Sequence, residues 1–229
     1  RWQNSMFGGM PTYQIGPTYN STKPIDAAQK AYQLFLPNYV YLVFIMMLGF
    51  YILMRALKAS HLISALGAIT WAFSSYFFII IAAGHLWKFI TLAYIPPTIA
   101  GMILIYRRKY WSGAFLVMVF VAFQLASNHI QMSYYFMIVM IAIAIAYMVE
   151  AIKKKQLATY AKSTGVIIIA GLIGVTANIP SLYHTYEYSK ESMRGKSELS
   201  HHGAENKSDA GLERDYITAW SYGIGETFT

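Results

Sequence analysis

Between residues 27 and 186 the chain carries a single acidic side chain, Glu150, although its full length holds ten. Hydrocarbon imposes such a pattern, because a carboxylate at the centre of a membrane helix costs about 3 kcal/mol on insertion scales. The 229 residues are 56 % hydrophobic and 12 % charged, with a net charge of +8. That charged fraction is about half of what an ordinary soluble domain shows. A basic chain raises nucleic acid as a partner, but ten of the eighteen Lys and Arg residues lie between positions 55 and 162 as punctuation between apolar runs. They form no clustered basic face, so nucleic-acid binding is excluded along with the soluble globule. The absence of Cys removes disulfides, thiolate metal sites and a catalytic thiol, and leaves the redox compartment unread.

Apolar runs of about 17 to 25 residues match the length a helix needs to cross a bilayer. Six runs approach this length, at residues 36–57, 62–83, 89–106, 111–127, 131–149 and 165–179. The second, fourth, fifth and sixth are apolar on all sides and lack alternation of period two, which predicts an all-α polytopic transmembrane bundle of about six spans rather than a β-barrel. The expected organisation is a polar segment at 1–35, the bundle at 36–179 and a second polar segment at 180–229. The turns between spans hold Arg55 and Lys58, then Arg107, Arg108 and Lys109, then Lys153, Lys154, Lys155 and Lys162, whereas the alternate turns hold only Lys88. Cytoplasmic loops collect cations. Nine bases against one therefore predict both polar segments on the exoplasmic side.

Polar side chains gather where the spans end on that side. His85, His129 and His184 fall there, with Lys88, Gln124, Asn128, Gln131, Tyr134, Tyr135, Asn178 and Glu187 nearby. An interfacial belt of amphipathic side chains accounts for Trp71, Trp87 and Trp111. The amides that flank His129 offer directed donors and acceptors, either for a ligand or for capping the turn. Lys88 either snorkels to the interface or meets a phosphate. Pro96 and Pro97 break the third span, which is either a repacked kink or a broken segment lining a site. Eight of the ten acids lie after residue 186, most of them a solvated mixture, while the aromatic, glycine-containing run at 215–229 leaves Asp215 and Glu226 as its ordered acids. His201 and His202 lie in a loop-like stretch. No HExxH, phosphate-loop or GxSxG pattern is present. The chain begins without Met or a signal-type leader and ends within the aromatic run, so it reads as a segment of a longer protein.

Five phrases carry a resemblance: MFGGMPTYQI at 6–15, GHLWKFITLAYIP at 84–96, SNHIQMSYY at 127–135, RGKSEL at 194–199 and WSYGIGET at 220–227. In this order they resemble the YfhO family of large bacterial polytopic membrane proteins, which is similar to glycosyltransferases of the GT-C type. The resemblance implies a GT-C-like fold in the bacterial cytoplasmic (inner) membrane and transfer of a sugar from a polyprenyl-phosphate donor to a cell-envelope acceptor at the exoplasmic face. It implies a catalytic acid in the first exoplasmic loop, at a position that would fall upstream of Arg1, with a divalent cation as a possible cofactor. Asp26 is the only acid in the first segment here. Substrate contacts are expected from His85, Lys88, Asn128, His129, Gln131, Tyr134 and Glu226, with the donor, the acceptor and membrane lipid as partners. The alternatives are a transporter or flippase for a lipid-linked glycan, for which inverted repeats would speak, and a noncatalytic protein of envelope assembly.

Overall fold

The computed structural model describes residues 2–4, 9–12 and 19–190. The chain divides into two compact units, one of Thr18–Ile179 and one of Arg1–Pro17 with Pro180–Thr229. In the smaller unit Trp2–Gln3 (β1) pairs antiparallel with Met10–Pro11 (β2). Helix α10, Ile179–Lys190, lies in this unit from Pro180 onward, and its Glu187–Lys190 ion pair spans 2.8 Å.

The larger unit is helical throughout its regular structure. After a 3-10 turn at Asn20–Thr22 come α1 (Lys23–Tyr32), α2 (Val40–Ala56), α3 (His61–Ala72), α4 (Ser75–Ala82) and α5 (Leu86–Ala93). They are followed by α6 (Ile95–Tyr106), α7 (Tyr110–Ala126), α8 (Ile130–Lys153) and α9 (Leu157–Thr176). Among the described residues three helices are long and apolar enough to cross a membrane: Leu86–Tyr106, which joins α5 and α6, then α8 and α9. A fourth is reached if α3 and α4 count as one span bent by 41°. Helices α2 and α7 have 17 residues each and are shorter.

Three boundaries differ from those the sequence predicts. The run at 62–83 is not one straight helix: Ser74 adopts an extended backbone (ψ 137°) between α3 and α4, with no proline to announce it. The last span begins at Leu157 instead of 165, which moves Lys162 from a loop into the helix, where its Nζ sits 5.0 Å from the Tyr110 ring centroid. Within the segment expected as an exoplasmic loop, α1 forms behind Pro24 in its first turn, a position where proline's missing donor costs nothing. It buries Ile25 and packs on α7, with Gln29 Nε2 donating to the Phe123 carbonyl at 3.3 Å.

Burial is arranged around α6 and α7. The Leu86–Tyr106 span is 72 % buried, against 11 % for α8 and 22 % for α9. The two outer helices turn Ile138, Ile141, Ile145, Ile168, Ile169 and Leu172 outward. An exposed apolar surface that continuous is the lipid-facing side of a membrane protein. Helix contacts are made through small residues, as expected where no hydrophobic force distinguishes a neighbouring helix from lipid. A Cβ at Gly101 would lie 2.8 Å from the Gly113 carbonyl oxygen, and one at Gly113 would lie 2.6 Å from that of Gly101. Gly174 meets the Met118 backbone in the same manner and brings α9 onto α7.

Pro96 and Pro97 are both buried and open α6, so the break they cause is packed inside protein. Proline at position 97 cannot donate to the Ala93 carbonyl. That oxygen lies against Gly49 of α2, 2.5 Å from where a Cβ would stand. The Tyr94 carbonyl is covered by the Thr98 hydroxyl at 2.8 Å and by Gln124 Nε2 at 3.5 Å. This is the repacked kink of the two sequence readings.

Successive helices are joined by tight turns whose central residue is left-handed: Lys58, Gly84, Arg108, Asn128 and Lys155 have φ of 68°, 77°, 65°, 53° and 54°. Glycine or asparagine takes this conformation most easily, and other residues pay about 1 kcal/mol for it. One rim of the bundle uses Gly84 and Asn128, and the other uses Lys or Arg each time. The bundle therefore has a histidine rim and a basic rim.

Candidate functional site

At the histidine rim, Gly84 has open space where a Cβ would be, so its positive φ is the reason for glycine. His85 follows it, exposed, and its carbonyl accepts the Phe89 amide at 3.1 Å to open α5. Lys88, one turn on, is half-buried, with its Nζ 5.5 Å from the centroid of Tyr76 on α4. Its neighbour Trp87 is exposed, as an interfacial tryptophan would be.

The second turn of this rim follows α7. Asn128 is exposed and fills the left-handed slot, so its part in capping the turn is structural. His129 precedes α8, and its Nδ1 is enclosed without a hydrogen-bond partner. Ser133, four residues on and so on the same face of the helix, has an equally orphaned Oγ. Buried polar atoms of this kind call for a water or a ligand. Gln131 and Tyr134 occupy the exposed side of α8, where Gln131 Nε2 donates to Tyr135 Oη at 3.0 Å. The structure thus separates His129 from Gln131 and Tyr134 by helix face.

Helix α5 touches both α7 and α8, which puts Lys88 on an element adjoining the helix of His129. Among the described residues no hydrogen bond or ion pair links His85 or Lys88 to Asn128 or His129. Gln124 and Asn178, grouped with this rim by sequence, are braces within the bundle. Gln124 Nε2 donates to Thr98 Oγ1 at 2.7 Å, and Asn178 Nδ2 donates to the Ala122 carbonyl at 3.0 Å. Asn178 keeps an enclosed, unpaired Oδ1 at the end of α9. Glu226, Asp215, His201 and His202 lie outside the described residues. His184 and Glu187 belong to α10 in the other unit. Among the described residues no three His, Asp or Glu side chains are grouped to hold a metal ion, so a divalent cation finds no fit there.

The basic rim carries two clefts. One of about 380 Å³ lies where the α2–α3 turn meets the α6–α7 turn and is lined by Arg55, Lys58, Arg107, Arg108 and Lys109. The other, about 300 Å³, is walled by Tyr106, Tyr147 and Tyr160, with Arg107, Glu150 and Lys154 at its edge. The rings of Tyr147 and Tyr160 flank that of Tyr106 at centroid distances of 4.2 and 5.7 Å, both nearly parallel to it. These tyrosines come from three helices and share no sequence spacing, so only the fold shows them together. Ser133 was missed for a simpler reason: a serine in an apolar helix is unremarkable until its neighbours are known.

The all-helical core, its apolar outer surface and its membrane-length helices define an α-helical membrane protein. No family model matches the chain, and neither a curated protein nor a solved structure is similar to it.

Proposed function

We propose that this chain is part of a GT-C-type membrane glycosyltransferase of the YfhO kind, which moves a sugar from a polyprenyl-phosphate donor to a cell-envelope acceptor at the exoplasmic face of a bacterial inner membrane. In this reading α2, the α3–α4 pair, α5–α6, α7, α8 and α9 make six crossings, the two 17-residue helices reaching about 26 Å at 1.5 Å per residue. The histidine rim then faces outward. The observation that carries the reading is the orphaned pair His129 Nδ1 and Ser133 Oγ on the inward side of α8, on a helix that adjoins the one bearing Lys88.

The chemistry assigned to these groups is electrostatic. As the glycosidic bond breaks, negative charge grows on the lipid phosphate, and the Lys88 ammonium, held over Tyr76 near the end of its span, is suited to meet it. His129 and Ser133 provide hydrogen-bonding atoms for sugar hydroxyls. The base that activates the acceptor is left unassigned. Helix α1 does hold Asp26 as an exposed carboxylate, and its Gln29 bonds to the last turn of α7, at the same rim.

The test is sugar transfer by the purified full-length protein from a radiolabelled polyprenyl-phosphate sugar. Lys88→Ala should lower the rate by about 10² to 10³, comparable to loss of one oxyanion donor. Lys88→Arg should retain part of it, because the charge remains while its reach and geometry change. Wild-type transfer by Lys88→Ala would remove the phosphate role and leave Lys88 as an interfacial side chain.

A further inference from the structure

We propose that the cleft between the α2–α3 and α6–α7 turns binds the phosphate of an anionic phospholipid headgroup. Five cations, Arg55, Lys58, Arg107, Arg108 and Lys109, line one cavity of about 380 Å³, and among the described residues no carboxylate lines it. Its volume is within the range of small-molecule sites.

Ordinary local compensation does not balance this charge. The C-termini of α2 and α6 meet the N-termini of α3 and α7 at this place, so the helix dipoles oppose one another and leave the five cations uncompensated. Neither α3 nor α7 has an acid in its first turn. Glu150, the one acid of the surrounding sequence, lines the neighbouring cleft and is paired with Lys154. Among the described residues the five cations thus have no carboxylate partner, and the cleft is open to an external anion.

The guanidinium groups are also held in place. Arg107 donates through one terminal nitrogen to the Ala56 carbonyl, which ties the two turns together, and Arg55 donates to the Ala59 carbonyl. Each guanidinium has five N–H donors, so one bond to the backbone leaves others for a phosphate oxygen. Lys58 and Arg108 sit in left-handed positions that the opposite rim gives to Gly84 and Asn128, so cations occupy slots where the backbone favours smaller residues.

A lipid is favoured over a soluble phosphate by depth. Leu104 forms part of the wall, Leu57 is exposed beside it, and Trp111, two residues from Lys109, is 92 % exposed. Exposed tryptophan at the end of an apolar helix marks the headgroup level, and basic pockets between membrane helices suit lipid phosphates there. The inference is independent of sugar transfer.

The experiment titrates the detergent-purified protein with phosphatidylglycerol and, separately, with phosphatidylcholine, counting retained lipid by native mass spectrometry. Phosphatidylglycerol should bind in preference. The combined variant Lys58→Asn, Arg108→Asn and Lys109→Gln should weaken it about a hundredfold, since each cation near a lipid headgroup accounts for about fivefold. Asparagine suits the left-handed slots, so the thermal midpoint should not fall. Lys58→Asn alone, with an expected loss of about fivefold, carries the test if the combined variant fails to fold. Lys30→Gln, an exposed cation on α1 outside the lining of this cleft, should leave binding unchanged. Equal retention of the two lipids, or unchanged binding by the charge-depleted variants, would overturn the proposal. Displacement by inorganic phosphate at matching concentration would assign the site to a soluble anion and overturn the lipid.

Discussion

Tyr32 shows how much one side chain of this molecule depends on its surroundings. It sits at the end of α1, outside the membrane-length helices, its ring against Phe120 at 5.1 Å and its hydroxyl enclosed without a hydrogen-bond partner. Burial, with a smaller contribution from Tyr94, raises the phenol well above its ordinary range. The folded state therefore holds this proton more tightly than the unfolded chain does. The corresponding stability is complete below the unfolded pKa near 10 and is lost as pH rises from there toward the folded value. Tyr32→Phe should accordingly match or exceed wild type in thermal midpoint at pH 7, because it removes an unsatisfied hydroxyl. It should also blunt the fall in midpoint between pH 9 and about 11.5, the window that follows from the unfolded pKa; thermal melts of the two proteins across that range check both points. Sequence could not have found this residue, since a tyrosine in a polar segment looks solvated. His129 was legible as a candidate from its flanking amides, but the structure gives those amides other work: Asn128 makes the turn and Gln131 bonds to Tyr135. On the same helix face as His129 the fold places Ser133, one helical turn away, whose hydroxyl is likewise unpaired.

At the scale of elements, proline was a reliable signal and backbone geometry without proline was not. The kink at Pro96 and Pro97 was legible, while the bend between α3 and α4 depends on the extended Ser74 and has no composition mark. Apolar runs located every bundle helix from α2 to α9, but their ends slipped where cations such as Lys162 continue a helix beyond its apolar part. Close approach of helices is likewise hidden in the sequence, because its glycines look alike. Gly113→Ala would place a Cβ 2.6 Å from both the Gly101 carbonyl and Ile105 Cγ1. Backbone cannot retreat cheaply, so about 1 to 3 kcal/mol should be lost and the thermal midpoint in detergent should drop. Gly165→Ala meets nothing within 4 Å and should be neutral or stabilising by up to about 1 kcal/mol through helix propensity. Equal melting of the two variants would show that α6 and α7 do not cross at these glycines.

For the molecule as a whole, the scarcity of acids between residues 27 and 186, with apolar runs that lack alternation of period two, pointed to a helical membrane bundle, because burial of charge in lipid is costly. The division into two rims followed from the bases alone. What sequence could not supply was the pair of clefts at the basic rim, each formed by residues far apart in the chain. The account rests on the two rims lying on opposite sides of a membrane, with the histidine rim outside. These 229 residues hold no Cys, so a single introduced cysteine is the one thiol among them. Asn128→Cys and Lys154→Cys place thiols at two exposed turn residues, one on each rim. With a membrane-impermeant maleimide, Asn128→Cys should label in intact bacterial cells, and Lys154→Cys only after the membrane is opened. Labelling of both from outside, or of Lys154→Cys alone, would contradict the orientation and the exoplasmic site built on it.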